Sequence, residues 1–391
     1  MGIGIVGTGF LAATRARCYR RIPAAARIVA VTDVDRAAAR AFAARHGVPH
    51  VAADLPALLA LPAVEAVDLC VPNGVHRPAA AAAIARGKHV ICTKPLTAYV
   101  GQDLPPEAPD AAVPAVDRRR MREVAVADAE AMVRSAREAG VLLLYAENWI
   151  FAPAIARARR LLAAAAGPIL EMRGWESHRG SHSPYARRWR SAGGGALLRL
   201  AVHPLGAMLH LKREEGLARG GAPIRPVAVT AEVADLAAVD GVDPARAFIA
   251  TGERDVENWG SVTVAFSDGA RGIAIGSDNL LGGLESRLEI LAADCHLKCN
   301  LSPNDLLRAY APAPEVFGTE PILEKTDTSA GWSTPMPDED WTSGHLAMCE
   351  ELARAVREGR PATSDGELGA EVVRVVYAAY LAASEGRRVT V

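Results

Sequence analysis

Residues 3–12 read Ile3-Gly4-Ile5-Val6-Gly7-Thr8-Gly9-Phe10-Leu11-Ala12, and this short stretch decides the fold. An apolar run enters G-x-G-x-x-A and passes directly into the helix-like ATRARCYRRI. Gly7 permits the tight turn and Gly9 lets the backbone approach a pyrophosphate. The small Ala12 allows close helix–strand packing, and the helix N-terminus faces the anion. Glycine turns after strands are common, so the surrounding sequence has to carry the rest. A second strand-like run, Arg27–Thr32 (RIVAVT), ends at Asp33. This lies roughly 20 residues beyond the turn, where an acidic side chain grips a ribose 2′-hydroxyl. A 2′-phosphate would meet like charge there, which favours NAD over NADP. Asp33 also reads as the N-cap of the DRAAARAFAARHG helix, although Asp35 fits that role better.

Strand and helix patterns keep alternating: ADLPALLAL, AVDLCV, PAAAAAIARG and HVICT. Such alternation implies parallel βαβ units and a doubly wound sheet. Ligands of these sheets lie at the carboxyl ends of the strands. That rule places Pro72, Asn73 and His76, then Thr93, Lys94 and Pro95, beside the cofactor. Residues 101–120 (GQDLPPEAPDAAVPAVDRRR) lack periodicity and read as an inserted surface loop before the helix VADAEAMVRSAREAG. From Ile169 onward the strands lengthen and alternate: ILEMRGWES, VAVTAEVADL, WGSVTVAF, ARGIAIGS, SRLEILA and CHLKCNL. They predict a large, mostly antiparallel open sheet with one covered face. The expected organisation is a Rossmann domain over 1–145 and an α+β substrate-binding and oligomerisation domain over 146–391. The last helix is expected to pack back on the first domain.

With 391 residues, two domains are expected. The formal net charge of −1 gives no basic excess for nucleic acid. No basic n-region or long apolar run appears, so a cytoplasmic protein without a membrane span is expected. The six cysteines are too scattered for a disulfide framework. Cys295-His296-x-x-Cys299 sits in a strand pattern without a second ligand pair, so no metal is expected. Lysine is confined to Lys88, Lys94, Lys212, Lys298 and Lys325; of the 44 basic residues, 44 less 5 leaves 39 arginines. A lysine kept against that bias is notable.

GTGFLA, AVTDVD and VDLCVPNGVHRPAAAAAIARGKHVICTKPL together resemble the glucose–fructose oxidoreductase / inositol dehydrogenase family. YAENWIFAP, the GGGAL turn with His203, and the closing SEGRRVTV resemble further family landmarks. The resemblance spans essentially the whole chain. It implies NAD-dependent chemistry on sugars or cyclitols and a homodimer or homotetramer formed through the second sheet. Thr93 replaces the glutamate customary before the Lys-Pro pair.

The resemblance implies cofactor contacts from Gly7, Gly9, Phe10, Leu11, Asp33, Pro72, Asn73, His76, Thr93 and Lys94. Lys94 stands where a hydroxyl proton must leave as a carbonyl forms. A nearby positive ring lowers a lysine's pKa, whereas arginine cannot deprotonate. His203 suits a general base, and Tyr185 completes the candidate catalytic set. In Gly193-Gly194-Gly195-Ala196-Leu197-Leu198-Arg199, glycines lead into a helix on which Arg199 and His203, four apart, share a face. The family typically has aspartate at the position of Arg199. A guanidinium there offers a fork for a carboxylate, phosphate or sulfonate. Upstream, HRGSHSPYARRW gathers His178, Arg179 and His182 beside the expected sugar; Glu147 and Trp149 join them as candidate substrate contacts.

Three functions are expected in order. The first is an NAD-dependent enzyme that takes hydride from a secondary alcohol carbon of a sugar, glycoside or cyclitol, an anionic one by the Arg199 argument. The second is a redox-neutral NAD-dependent glycosidase acting on, for example, a sulfonated or carboxylated glycoside. The third is a non-catalytic NAD-binding sugar sensor.

Overall fold

The computed structural model describes residues 1–391 except His182, Glu253 and Asp327. Six parallel strands form the first sheet: β1 (Gly2–Val6), β2 (Arg27–Thr32), β3 (His50–Val51), β4 (Ala66–Leu69), β5 (His89–Thr93) and β6 (Leu143–Ala146). Their order is β3-β2-β1-β4-β5-β6, the doubly wound arrangement. Five helices link them: α1 (Phe10–Arg21), α2 (Arg36–His46), α3 (Leu55–Leu59), α4 (Asn73–Ile84) and α5 (Arg118–Glu138). Every residue of β1, β4 and β6 is buried. Helices cover both faces, so β1 and β6 read as apolar runs without alternation, while β4 carries the buried Asp68 among its apolar residues.

Helix α5 begins at Arg118, earlier than the sequence suggested, because the Asp117 carboxylate caps it by accepting the Arg119 N–H at 2.8 Å. Met121, Ala125, Ala129 and Met132 bury one stripe at helical spacing. The preceding loop is tied down: Tyr99 donates its hydroxyl to Asp103 at 2.7 Å, and Arg190 pairs with Asp110 at 2.7 Å.

After α6 (Pro153–Ala164), β7 (Ile169–Ser177) opens the second sheet. Two short helices, α7 (Trp189–Ala192) and α8 (Ala196–Arg199), lead to the long α9 (Val202–Gly220). Strands β8 (Pro226–Ala234), β9 (Trp259–Phe266), β10 (Arg271–Ser277), β11 (Glu285–Ala292) and β12 (His296–Ser302) follow. A hairpin of β13 (Ala309–Ala311) and β14 (Gly331–Ser333) precedes α10 (Glu339–Thr342), α11 (His345–Glu358), α12 (Gly366–Glu385) and β15 (Val389–Thr390). The seven-stranded order is β12-β11-β7-β10-β9-β8-β15, antiparallel except where β7 meets β10. Helix α9 packs one face so closely that a Cβ on Gly174 would lie 2.4 Å from Pro204.

The C-terminal segment returns to the first sheet. Tyr145 N–H donates to Ser364 O at 3.0 Å, and the Tyr377 hydroxyl accepts the Tyr99 N–H at 2.5 Å. Arg374 meets Glu130 at 3.1 Å from α12 to α5. Among the described residues no helix is long and apolar enough to cross a membrane.

Candidate active site

The carboxyl ends of the parallel strands open into a cavity of about 950 Å³. Its far wall comes from β7, α8, α9, β11, β12 and the segment before α11. One end is built from backbone. Gly7 has φ 90°, and a Cβ there would lie 2.3 Å from Cys70 O. Gly9 precedes α1 without any side-chain cap, and the space its Cβ would take is open. Uncapped N–H groups beside open room are what a pyrophosphate requires. Asp33 Oδ2 accepts both the Thr8 N–H and the Thr8 hydroxyl at 2.7 Å, fixing the carboxylate against the glycine turn. Asp35 caps α2 by accepting the Ala37 and Ala38 N–H groups. Asp33 is thereby left at the cavity edge, and these residues fit a dinucleotide.

Phe10, Leu11, Pro72, Asn73, Thr93 and Lys94 also line the cavity. His76 does not; it is fully buried, with Nδ1 2.9 Å from Pro95 O and Nε2 3.1 Å from Val71 O. Its expected cofactor contact becomes a brace between the α4 turn and the Lys-Pro turn. Burial lowers its proton affinity. Asn73 Nδ2 reaches across to Ala192 O at 2.6 Å, tying the first domain to the triple-glycine turn.

The other end is built from charged side chains. Lys94, half-buried, donates to the Arg199 carbonyl. Burial lowers its pKa to about 8, against the opposing pull of Glu147 and Glu176 and with a smaller push from Arg199. His203 Nδ1 lies 2.7 Å from Glu147 Oε1, and Trp149 stacks on the imidazole at 6.0 Å between ring centroids. The same carboxylate oxygen accepts the Trp149 N–H at 3.1 Å. Burial drives His203 well below the usual histidine range, helped by the Lys94 charge, so its imidazole is neutral near pH 7. Burial also raises Glu147, with Lys94 opposing. Glu147 therefore sits behind His203, out of the cavity lining, as its orienting partner. With Nδ1 facing Glu147, Nε2 is the ring nitrogen left for a substrate, and in the Nδ1–H tautomer it accepts a proton.

Arg199 and His203 do not share one continuous helix. Helix α8 ends at Arg199 and α9 starts at Val202, yet both side chains reach the cavity. The turn before them is pinned by Glu257, which accepts the Leu197 N–H at 3.0 Å and the Tyr380 hydroxyl at 2.7 Å. The Arg199 guanidinium forms an ion pair with Asp278, just beyond β10. One arm of the fork expected for an anionic ligand is thus already engaged inside the protein, and its charge is met there. The carboxylate missing at position 199 in sequence is supplied in space from 79 positions downstream.

His178 lines the cavity, with Nδ1 3.6 Å from Asp278 Oδ1. Tyr185 lines it too, while Arg179 does not. His182 lies outside the described residues. Sequence reading missed Glu176, Ser286, Ser302, Glu324 and Lys325, all in the lining. For Glu176 a signal existed: it shares the strand face of Met172 and Gly174, a core face, where a carboxylate is out of place.

A glycine turn on a doubly wound sheet, facing a lysine, an oriented histidine and buried carboxylates, defines a nucleotide-dependent α/β protein with its reactive groups shared between that sheet and an appended domain. Residues 1–104 match the model for the oxidoreductase family with an NAD-binding Rossmann fold. Residues 155–297 match the GFO/IDH/MocA C-terminal domain, and 317–391 the oxidoreductase-family C-terminal alpha/beta domain. The chain belongs to the GFO/IDH/MocA oxidoreductase family. Levoglucosan dehydrogenase of Pseudarthrobacter phenanthrenivorans is 26% identical over 231 residues, 55% of this chain and 52% of that one. Inositol 2-dehydrogenase 1 of Saccharopolyspora erythraea is 40% identical over 97 residues, 25% of this chain and 29% of that one. The chain thus spans about half the length, or less, of these relatives. Among solved structures, GenD2 from gentamicin A biosynthesis, in complex with NAD, superposes with a TM-score of 0.80 at 27% identity, covering 100% of this chain and 96% of that one.

Proposed function

We propose that this protein is an NAD-dependent dehydrogenase that takes hydride from a secondary alcohol carbon of a sugar or cyclitol. The observation that carries the reading is the convergence of Lys94 and the His203–Glu147 pair on one cavity that also holds the glycine turn. Bound NAD would accept the hydride at the strand ends. The chain's own groups handle the proton. A lysine brought down to about 8 exchanges protons near neutral pH. His203 Nε2, its ring held by Glu147 and Trp149, takes the hydroxyl proton as the C–O bond gains double-bond character. Trp149 and Leu200 add apolar surface to the same cavity wall. The relatives named above support the substrate class: one is a levoglucosan dehydrogenase, another an inositol dehydrogenase.

The Arg199–Asp278 pair weakens the case for an anionic substrate, because its charge is met within the protein. Assembly through the second sheet is supported by the face turned away from α9, where Trp175, Ile273 and Ile275 are only partly buried. The purified protein should convert NAD to NADH in step with oxidation of some member of a sugar and cyclitol panel. Aglycone release with only catalytic NAD would replace this reading by the glycosidase. Sugar binding without turnover would leave a sensor.

A further inference from the structure

Along β7, Met172, Gly174 and Glu176 alternate onto the face that α9 covers. Glu176 stands opposite Ser286 of β11, and Ser286 stands opposite Ser302 of β12. The three form one row across three adjacent strands. All line the cavity, with relative exposures of 9%, 5% and 5%. One carboxylate oxygen of Glu176 and the Ser302 hydroxyl have no hydrogen-bond partner. Buried polar atoms are ordinarily paired, so two unpaired ones in a single row mark a place completed by something from outside.

The local charges indicate what that is. Arg199 is held by Asp278, and Arg17 by Asp340 at 2.8 Å. Lys325 donates to Gly180 O at 2.9 Å and lies 3.8 Å from the Glu324 carboxylate. Lys94 is drawn to Glu147 as well as to Glu176. Glu324 and Glu339 add carboxylates to the lining. Burial raises Glu176 to about 8, Glu339 to about 7, and Glu324 in the same direction. An incoming hydroxyl would satisfy hydrogen bonds in this wall but would bring no cation to offset the burial that disfavours its ionised carboxylates. An ammonium group does both: it faces the Glu176 carboxylate and gives its remaining N–H groups to serine oxygens.

We infer that the Glu176–Ser286–Ser302 row is a subsite for a primary ammonium group, and that the substrate is an amino sugar or aminocyclitol. This rests on the dehydrogenase reading for its carbon skeleton, not for its charge.

The test uses the protein saturated with NADH and titrates matched pairs by calorimetry: 2-, 3- and 6-amino-glucose against glucose, and 2-deoxystreptamine against its deaminated cyclitol. At least one amine should bind about tenfold or more tightly than its neutral partner, as a charge-assisted contact allows. That ratio should collapse towards one in E176Q, survive in E176D, and fall in the wild type as pH rises above the amine's own pKa. The pH arm stands even if a variant fails to fold. No amine preference in any pair, or a preference indifferent to both pH and E176Q, overturns the subsite. Amine preference without NADH formation from any sugar with NAD would leave the subsite and remove the dehydrogenase reading. NADH formation without amine preference would do the reverse.

Discussion

The two ends of the cavity are made from different materials. The dinucleotide end is backbone: a glycine with φ 90°, an uncapped helix N-terminus, and one carboxylate fixed to Thr8 within 25 positions in sequence. The substrate end is side chains brought from remote segments: Lys94 after β5, Glu147 after β6, Glu176 from β7, His203 from α9, Asp278 after β10. A backbone site tolerates changes in neighbouring side chains and fails when a Cβ enters it. A side-chain site fails when any one partner is removed, because each remaining charge is buried.

The largest effect that would break this contrast concerns Lys94. Lys94→Ala should lower kcat by roughly 10²–10⁴-fold, the usual range for a positioned proton-transfer group. Arginine in its place should not rescue turnover, since it keeps its proton. A retained kcat in steady-state assays would mean that the side-chain end does no chemistry. Next comes the pair at 199. Arg199→Met leaves Asp278 buried without its cation and should cost about 3–5 kcal/mol in chemical denaturation. The double change with Asp278→Leu should recover most of it. If single and double variants are equally unstable, the pair is not what holds that wall.

The backbone end is probed by Gly9→Val. Nothing stands within 4 Å of the new Cβ, so Tm should stay within a few degrees of the wild type. NAD affinity should fall about tenfold or more as the side chain fills the pyrophosphate's room. Unchanged affinity would place the dinucleotide elsewhere. The smallest effect is on pH. Lys94 exchanges away the proton that His203 takes from the substrate, and does so in its neutral form, so kcat/KM should rise with pH through about 8 and level off above it. Glu176, whose folded pKa is raised, contributes the opposite slope to stability. Its share is full below the usual glutamate range and is lost as pH rises through about 8. E176Q should flatten that decline in melts taken across this window.

The same contrast explains what could be read from residues alone. GTGFLA, Asp33 and the β-α alternation are local patterns, and the parallel sheet followed directly from them. The strands from Ile169 to Ser302 were legible because period-two alternation is local too. Pairing is not local. Asp278 is an ordinary acidic residue past a strand end until the sheet carries it to Arg199. His76 lies in the right motif, yet its carbonyl partners at Val71 and Pro95 turn it into a brace. The break between α8 and α9 was hidden because Arg199 and His203 keep helical spacing across it. Glu176 was within reach of sequence reading, through its place on a core-facing strand position.

The segment before α11 closes the cavity over α1, where Arg17 meets Asp340 at 2.8 Å and Arg21 meets Asp338 at 2.7 Å. Both pairs are partly solvent-exposed, and the dinucleotide end lies between the elements they join. Exposed ion pairs weaken within the Debye screening regime of ordinary salt, roughly 8–10 Å at 0.1–0.15 M. The residence time of a bound nucleotide is therefore expected to follow ionic strength. Stopped-flow release of NADH should quicken as salt is raised and lose that dependence in R17A/R21A, so the enzyme's turnover carries a built-in reading of its ionic surroundings.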